Sequence, residues 1–175
     1  MPATSSTQLS NAQLLDQLEP SALLIVGYIE QIPPVEASAT SAATRPLLTA
    51  LIGFSGDHNG MLLLHCSRSS ARRLATGVLG NSNDCDEELG STLGEMVRML
   101  GCDLKQALCK RQSGTLLSLP TVLQTTDQLC NELMRRTGGE LRCYGPASDS
   151  MTVGLCLHDN WRPLLQGLPL TANLS

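Results

Sequence analysis

Aromatic side chains are almost missing from this chain: one Trp, two Tyr and one Phe in 175 residues, 2% in all. Leu, Ile, Val, Met and Ala must therefore fill the interior, with Phe54 and Trp161 as isolated bulky contributors. An excess of positive charge is missing too. Net charge is −4 and the sequence pI about 5.3, so the basic surface that holds a phosphate backbone is absent and nucleic acid is not an expected partner. No apolar run approaches the roughly 20 residues that cross a bilayer; the longest, Ala22 to Ile29, is interrupted by Gly27 and Tyr28. No membrane association is expected. The opening MPATSSTQLSNAQ has neither a basic start nor an apolar core of the secretory type, which places the chain in the cytoplasm. Seven cysteines contain no CxxC pair, and an odd number argues against a closed disulfide framework. Most of them read as buried free thiols. His58, His65 and His158 show no ligand spacing, so no metal site and no cofactor are expected. Nucleotide-binding glycine loops and the GxSxG elbow are also lacking.

What is present is a strong helical stretch from Asp86 to Lys110. Leu89, Leu93, Met96, Leu100, Leu104 and Ala107 recur at three- and four-residue steps, which predicts one apolar stripe facing the core. Ser91, Glu95, Arg98 and Cys102 then align on the opposite side as an exposed polar ridge. Gly90, Gly94 and Gly101 share a flank between the two faces. Each glycine costs a helix about 1 kcal/mol relative to alanine, and close packing against another element is the expected compensation.

Around this helix the order of elements is legible. Asn11 to Gln31 reads as helix, with Pro20 marking a kink or break. Glu36 to Arg45 is small and polar and reads as a loop. Leu47 to Phe54 and Met61 to Cys66 are short apolar runs joined by SGDHNG, where Asn59 and Gly60 suit the positive φ angles of a tight turn. Ser67 or Ser69 can cap a helix through Ala71, Leu74, Ala75 and Val78, stopped by Gly80. Asp84 or Asp86 is the expected N-cap of the main helix, with Glu87 and Glu88 in its first turn. TLLSLPTVLQ reads as a strand in which Pro120 needs an edge, a bulge or an end. Thr126 to Thr137 suits a short helix closed by Gly138 and Gly139. Glu140 to Tyr144 and Met151 to His158 are two further strands. Residues 1–10 read as a flexible end and 159–175 as an irregular tail, leaving 11–158 as a single domain. Segregated hairpins and helices predict an α+β fold with a mainly antiparallel sheet.

The run GEMVRMLGCDLK, from Gly94 to Lys105, followed closely by LLSLPTVL, resembles the CheX branch of the CheC, CheX and FliY chemotaxis phosphatases. The preceding hairpin and the helix SRSSARRLATGVLG fit the same pattern, so the resemblance spans roughly Leu47 to His158. It implies an antiparallel sheet with two long helices packed on one face, a homodimer, and hydrolysis of the aspartyl phosphate of a CheY-type response regulator. It places the family's Ser or Asp, Glu and Asn at Ser91, Glu95 and Arg98. It also implies that the Glu binds a lysine of the regulator, that the Asn orients the attacking water, and that Mg²⁺ belongs to the partner. Arg98 departs from the pattern. A guanidinium has five donors and no acceptor, so it cannot take a hydrogen bond from a water as an Asn amide can. The resemblance thus gives Glu95 and Arg98 as catalytic positions and Ser91, Glu95, Arg98 and Cys102 as the partner-binding ridge. Weak or absent hydrolysis is expected, and the alternative is a non-catalytic module that binds the regulator. Without the resemblance, Glu95 and Arg98 read as a surface ion pair, Ser91 as a surface hydroxyl and Cys102 as a surface thiol.

Overall fold

The computed structural model describes residues 10–30, 47–56, 58–80, 85–109, 114–145 and 150–157. The expected loop at 36–45, the tail at 159–175 and residues Asp84, His158 and Trp161 lie outside the described residues, as do positions 1–9 of the expected flexible end. Ser10, the tenth of those, caps the first helix reciprocally: its Oγ accepts from the Gln13 amide at 3.2 Å, while Gln13 Oε1 accepts from the Ser10 amide at 3.0 Å.

Four helices and six strands follow: α1 Asn11–Glu30, β1 Leu47–Ser55, β2 Gly60–Ser67, α2 Arg68–Leu79, α3 Asp86–Cys109, β3 Leu116–Leu117, β4 Thr121–Thr125, α4 Asp127–Thr137, β5 Glu140–Tyr144 and β6 Met151–Leu157. The fold is α+β, as the hairpin and helix signals predict. All strand pairs are antiparallel, in the order β3, β1, β2, β6, β5, with β4 also paired to β1. β3 and β4 therefore share one edge of β1, end to end. The two long helices α1 and α3 pack with α2 on one sheet face.

Alternation along the strands sorts the core. Leu48, Ala50, Ile52 and Phe54 of β1, Leu62, Leu64 and Cys66 of β2, and Met151, Val153 and Leu155 of β6 face the three helices. Their neighbours Met61, Leu63 and Cys156 point the other way, onto Leu133 and Met134 of α4. With both faces covered, central strands read as nearly continuous apolar runs. Full burial of a Leu or Ile is worth roughly 1.5–3 kcal/mol, so the larger three-helix layer holds most of the stability.

α1 runs unbroken through Pro20. Pro20 is exposed, so its ring meets no packed neighbour, while Leu14, Leu15, Leu18, Ala22, Ile25, Val26 and Ile29 bury the opposite stripe. Asn11 ties the start of this helix down by donating to Gly138 O and accepting from the Leu157 amide, both at 3.0 Å. Ser21 Oγ donates to Asp103 Oδ2 at 2.5 Å and links α1 to α3. α2 starts at the Ser67 cap and ends at Gly80 in the left-handed conformation, as read from the sequence. Val78, expected on its buried side, is exposed. The last turn leans on α1 through Gly77, where a Cβ would sit 2.6 Å from Tyr28 O.

Gly60 needs correction. Among the glycines of this hairpin the positive φ belongs to Gly56, not Gly60. Gly60 pairs with Phe54 and Leu157, and a Cβ there would lie 2.1 Å from Cys156 O and 2.4 Å from the Phe54 ring. Crowding between three strands, rather than turn geometry, demands glycine. Replacing Gly60 by Ala should cost about 3 kcal/mol, at the upper end of overpacking penalties, read as a fall in the urea midpoint. A midpoint equal to wild type would contradict this account.

On the α4 side, His65 of β2 is buried. Burial pushes its pKa down, and Asp127, 3.8 Å from Nε2 but 61% exposed, only partly opposes this. The fold thus favours the neutral imidazole. The stability this gives is fully present above the ordinary His pKa near 6.5 and is lost as pH falls through the lower folded value. Thermal midpoints should drop between pH 7.5 and pH 5, and the drop should be smaller in His65→Gln. An equal drop in both proteins would assign the effect to other groups.

Candidate functional site

α3 positions the site. Cys85 precedes it, its carbonyl accepting from the Leu89 amide at 3.1 Å, so Asp86 is a first-turn residue rather than the N-cap expected from the sequence. Together with Glu87 and Glu88 it puts negative charge at the positive end of the helix dipole. Asp86 also pairs with Arg68 of α2.

The buried stripe is Leu89, Leu93, Val97, Leu100, Leu104 and Leu108. Met96 and Ala107, assigned to it from spacing, are only partly buried. Met96 and Val97 are adjacent and both apolar, so periodicity alone allows two stripes that share Leu89, Leu93, Leu100 and Leu104 and whose centres differ by about 30°. Tertiary packing of α3 on the sheet decides for Val97. The shift leaves the ridge intact: Ser91, Glu95, Arg98 and Cys102 are all exposed.

Within the ridge, Arg98 Nε and Nη2 both donate to Glu95 Oε2, at 2.9 and 2.6 Å. The two side chains remain 55% and 60% exposed. The hydrogen bond from Arg98 holds the Glu95 carboxyl below its usual range and raises the guanidinium in turn. Ser91 and Cys102 flank this pair one turn away on either side. Gln106, another amide on this helix, is exposed but lies eight residues beyond Arg98, about 12 Å along the axis at 1.5 Å per residue, so it cannot stand in at the same spot. Among the described residues, no cluster of His, Cys, Asp or Glu could hold a metal ion, and no helix is long and apolar enough to cross a membrane.

The strand after α3 forms the other wall. Read from the sequence as one strand, LLSLPTVLQ is two, because Ser118, Leu119 and Pro120 bulge out between β3 and β4. The Ser118 amide donates to Gly53 O at 2.8 Å, and the Gly53 amide donates to Ser118 Oγ at 2.9 Å. Between this bulge and α3 lies a groove of about 360 Å³ lined by Gly90, Ser91, Gly94, Glu95, Pro120 and Val122. The groove was not legible in the sequence, since it depends on where the bulge sets Pro120 against the helix. Gly101 justifies the expectation of close packing: a Cβ there would be 3.3 Å from Ile52 Cδ1 and 3.5 Å from Leu117 Cδ1.

The family model for the chemotaxis phosphatase CheX matches residues 48–140, just over half of the chain, including α3 and β4. The chain belongs to the CheX family. Solved structures agree in fold. The CheX protein of Vibrio vulnificus is 15% identical, with a TM-score of 0.60 over 86% of this chain and 100% of its own. CheX in the CheX–CheY–BeF₃–Mg²⁺ complex of Borrelia burgdorferi is 12% identical, with a TM-score of 0.60 over 83% of this chain and 98% of its own. FliY of Thermotoga maritima is 11% identical, with a TM-score of 0.52 over 87% and 88%. No curated protein matches the chain by sequence.

The ion pair of the ridge can be checked directly. Arg98→Ala should return the Glu95 carboxyl to the ordinary carboxylate range in an NMR titration, with the thermal midpoint unchanged because both groups are exposed. An unaltered Glu95 titration would mean that the pair does not form in solution.

Proposed function

We propose that this CheX-family protein docks the phosphorylated form of a CheY-type response regulator on the α3 ridge of Ser91, Glu95, Arg98 and Cys102. The observation that carries this reading is the exposure of all four residues on one side of α3 in a member of the family. A solved member of similar fold is in complex with CheY, BeF₃ and Mg²⁺. In this reading Glu95 meets a basic group of the regulator, Arg98 meets phosphoryl oxygens, and the Mg²⁺ is the regulator's own. The homodimer implied by the family resemblance and the cytoplasmic setting expected from the sequence belong to the same proposal.

Hydrolysis of an aspartyl phosphate needs a water held in line with the bond to be broken, and catalysis is then mostly positioning and charge stabilisation. Arg98 supplies charge stabilisation of the arginine-finger kind but no acceptor for the water. Its Nε and Nη2 are, moreover, already committed to Glu95. Binding with little hydrolysis is the version these residues support best; efficient hydrolysis is the alternative and would need an acceptor from elsewhere.

The test is the decay of the aspartyl phosphate on response regulators of the source organism, with and without this protein. Wild type should bind the phosphorylated regulator without accelerating decay. Arg98→Asn, which restores a hydrogen-bond acceptor for the water and releases Glu95, should accelerate it about 10²-fold, the size of effect that positioning of a reacting group produces. Acceleration by wild type would establish an enzyme and overturn the binding-only version.

A further inference from the structure

Leu119 is the most exposed of the large apolar side chains among the described residues, at 87%. Its backbone is nevertheless held firmly. Ser118 is stitched to Gly53 on one side and donates from Oγ to Leu119 O at 2.9 Å, and the Pro120 ring fixes φ on the other. A leucine presented to water on a pinned bulge is unexplained by the fold.

The groove that Pro120 lines has a second unexplained property. Gly101 is tightly packed, but Gly90 and Gly94 are not. A Cβ on Gly90 would come no closer than 3.8 Å to Val122, and one on Gly94 no closer than 3.6 Å to Pro120, which are ordinary contacts. Alanine would fit at both and is the better helix former. These glycines keep the floor of the groove at backbone level, and nothing inside the fold uses that space.

We propose that this groove, with Leu119 beside its Pro120 wall, is the apolar half of the surface that docks the response regulator, receiving an apolar side chain that neighbours a basic group. The inference rests on the ridge reading above. Continuity supports it, because Ser91 and Glu95 belong both to the ridge and to the groove lining. Charge supports it as well: both Arg98 bonds fall on Glu95 Oε2, which leaves Oε1 open to a second donor, and the other lining residues, Gly90, Gly94, Pro120 and Val122, carry no charge. The required feature on the regulator is therefore an apolar side chain within reach of a Lys or Arg, not an acidic or purely polar patch.

The test takes the regulators of the source organism loaded with BeF₃⁻ and Mg²⁺, selects the one that wild type binds, and measures Kd and thermal midpoint for four proteins: wild type, Leu119→Ser, the double variant Gly90→Ala/Gly94→Ala, and Glu95→Gln. Leu119→Ser should weaken binding about tenfold, as loss of one leucine-sized buried contact does, with its midpoint unchanged. The double variant should raise the midpoint and weaken binding about fivefold or more, because the filled floor excludes the guest side chain. Wild-type affinity in either of these two variants, alongside weakening by Glu95→Gln, would overturn the groove proposal and leave the ridge standing. A lowered midpoint in the double variant would show that the glycines serve packing and overturn it too. If wild type binds no regulator, or Glu95→Gln binds as tightly as wild type, the ridge reading fails and the groove proposal with it.

Discussion

The packing of α3 on the sheet is the constraint on which everything else depends. Leu89, Leu93, Val97, Leu100, Leu104 and Leu108 fix how the helix is rotated. At about 100° per residue, a stripe through Met96 and Ala107 instead of Val97 and Leu108 differs in its centre by only about 30°, because Leu89, Leu93, Leu100 and Leu104 are common to both. Glu95 and Arg98 are therefore where they are because six apolar residues on the far side leave them nowhere else. Gly101 reinforces this by letting the helix settle onto Ile52 and Leu117 at near-contact distance. The other elements act through this contact: α1 holds α3 laterally through Ser21 and Asp103, and α2 does so through Arg68 and Asp86.

The second wall of the site comes from a different physical device. β1 is paired along its outer edge by two short strands instead of one long one, and Ser118 fills the gap between them by bonding Gly53 with both backbone and side chain. Pro120 cannot donate to a ladder, and here it sits outside one. A continuous strand would lie flat along β1. The interruption instead sets Leu119 out to solvent and Pro120 against α3.

Much of this was legible in the chain, and the failures share a cause. The cap at Ser67, the stops at Gly80 and Gly138, and the exposure of Ser91, Glu95, Arg98 and Cys102 follow from local chemistry and helical period, which sequence carries directly. Gly60 was misread because its neighbours Phe54 and Cys156 come from two other strands, so a glycine that suits a turn is in fact demanded by the Cys156 carbonyl and the Phe54 ring. The phase of α3 was ambiguous because Met96 and Val97 are both apolar, and only the sheet chooses between them. The groove escaped notice for the same reason: its residues lie on two elements about 30 positions apart, and no local pattern encodes their separation.

Arg98 shows how little of a fold a change of chemistry has to touch. The side chain is exposed and, among the described residues, bonded to Glu95 one turn away, so the core is indifferent to it, and the chain keeps the scaffold of the family whatever stands there. Function is not indifferent. A neutral amide could present an acceptor to a water and would leave Glu95 free, whereas a guanidinium removes the acceptor and neutralises the carboxylate at once. Both effects act against hydrolysis, and the second also weakens any purely electrostatic attraction of a basic partner. Binding strength on such a ridge must then come from somewhere other than charge, and the structure provides an apolar groove directly beside it.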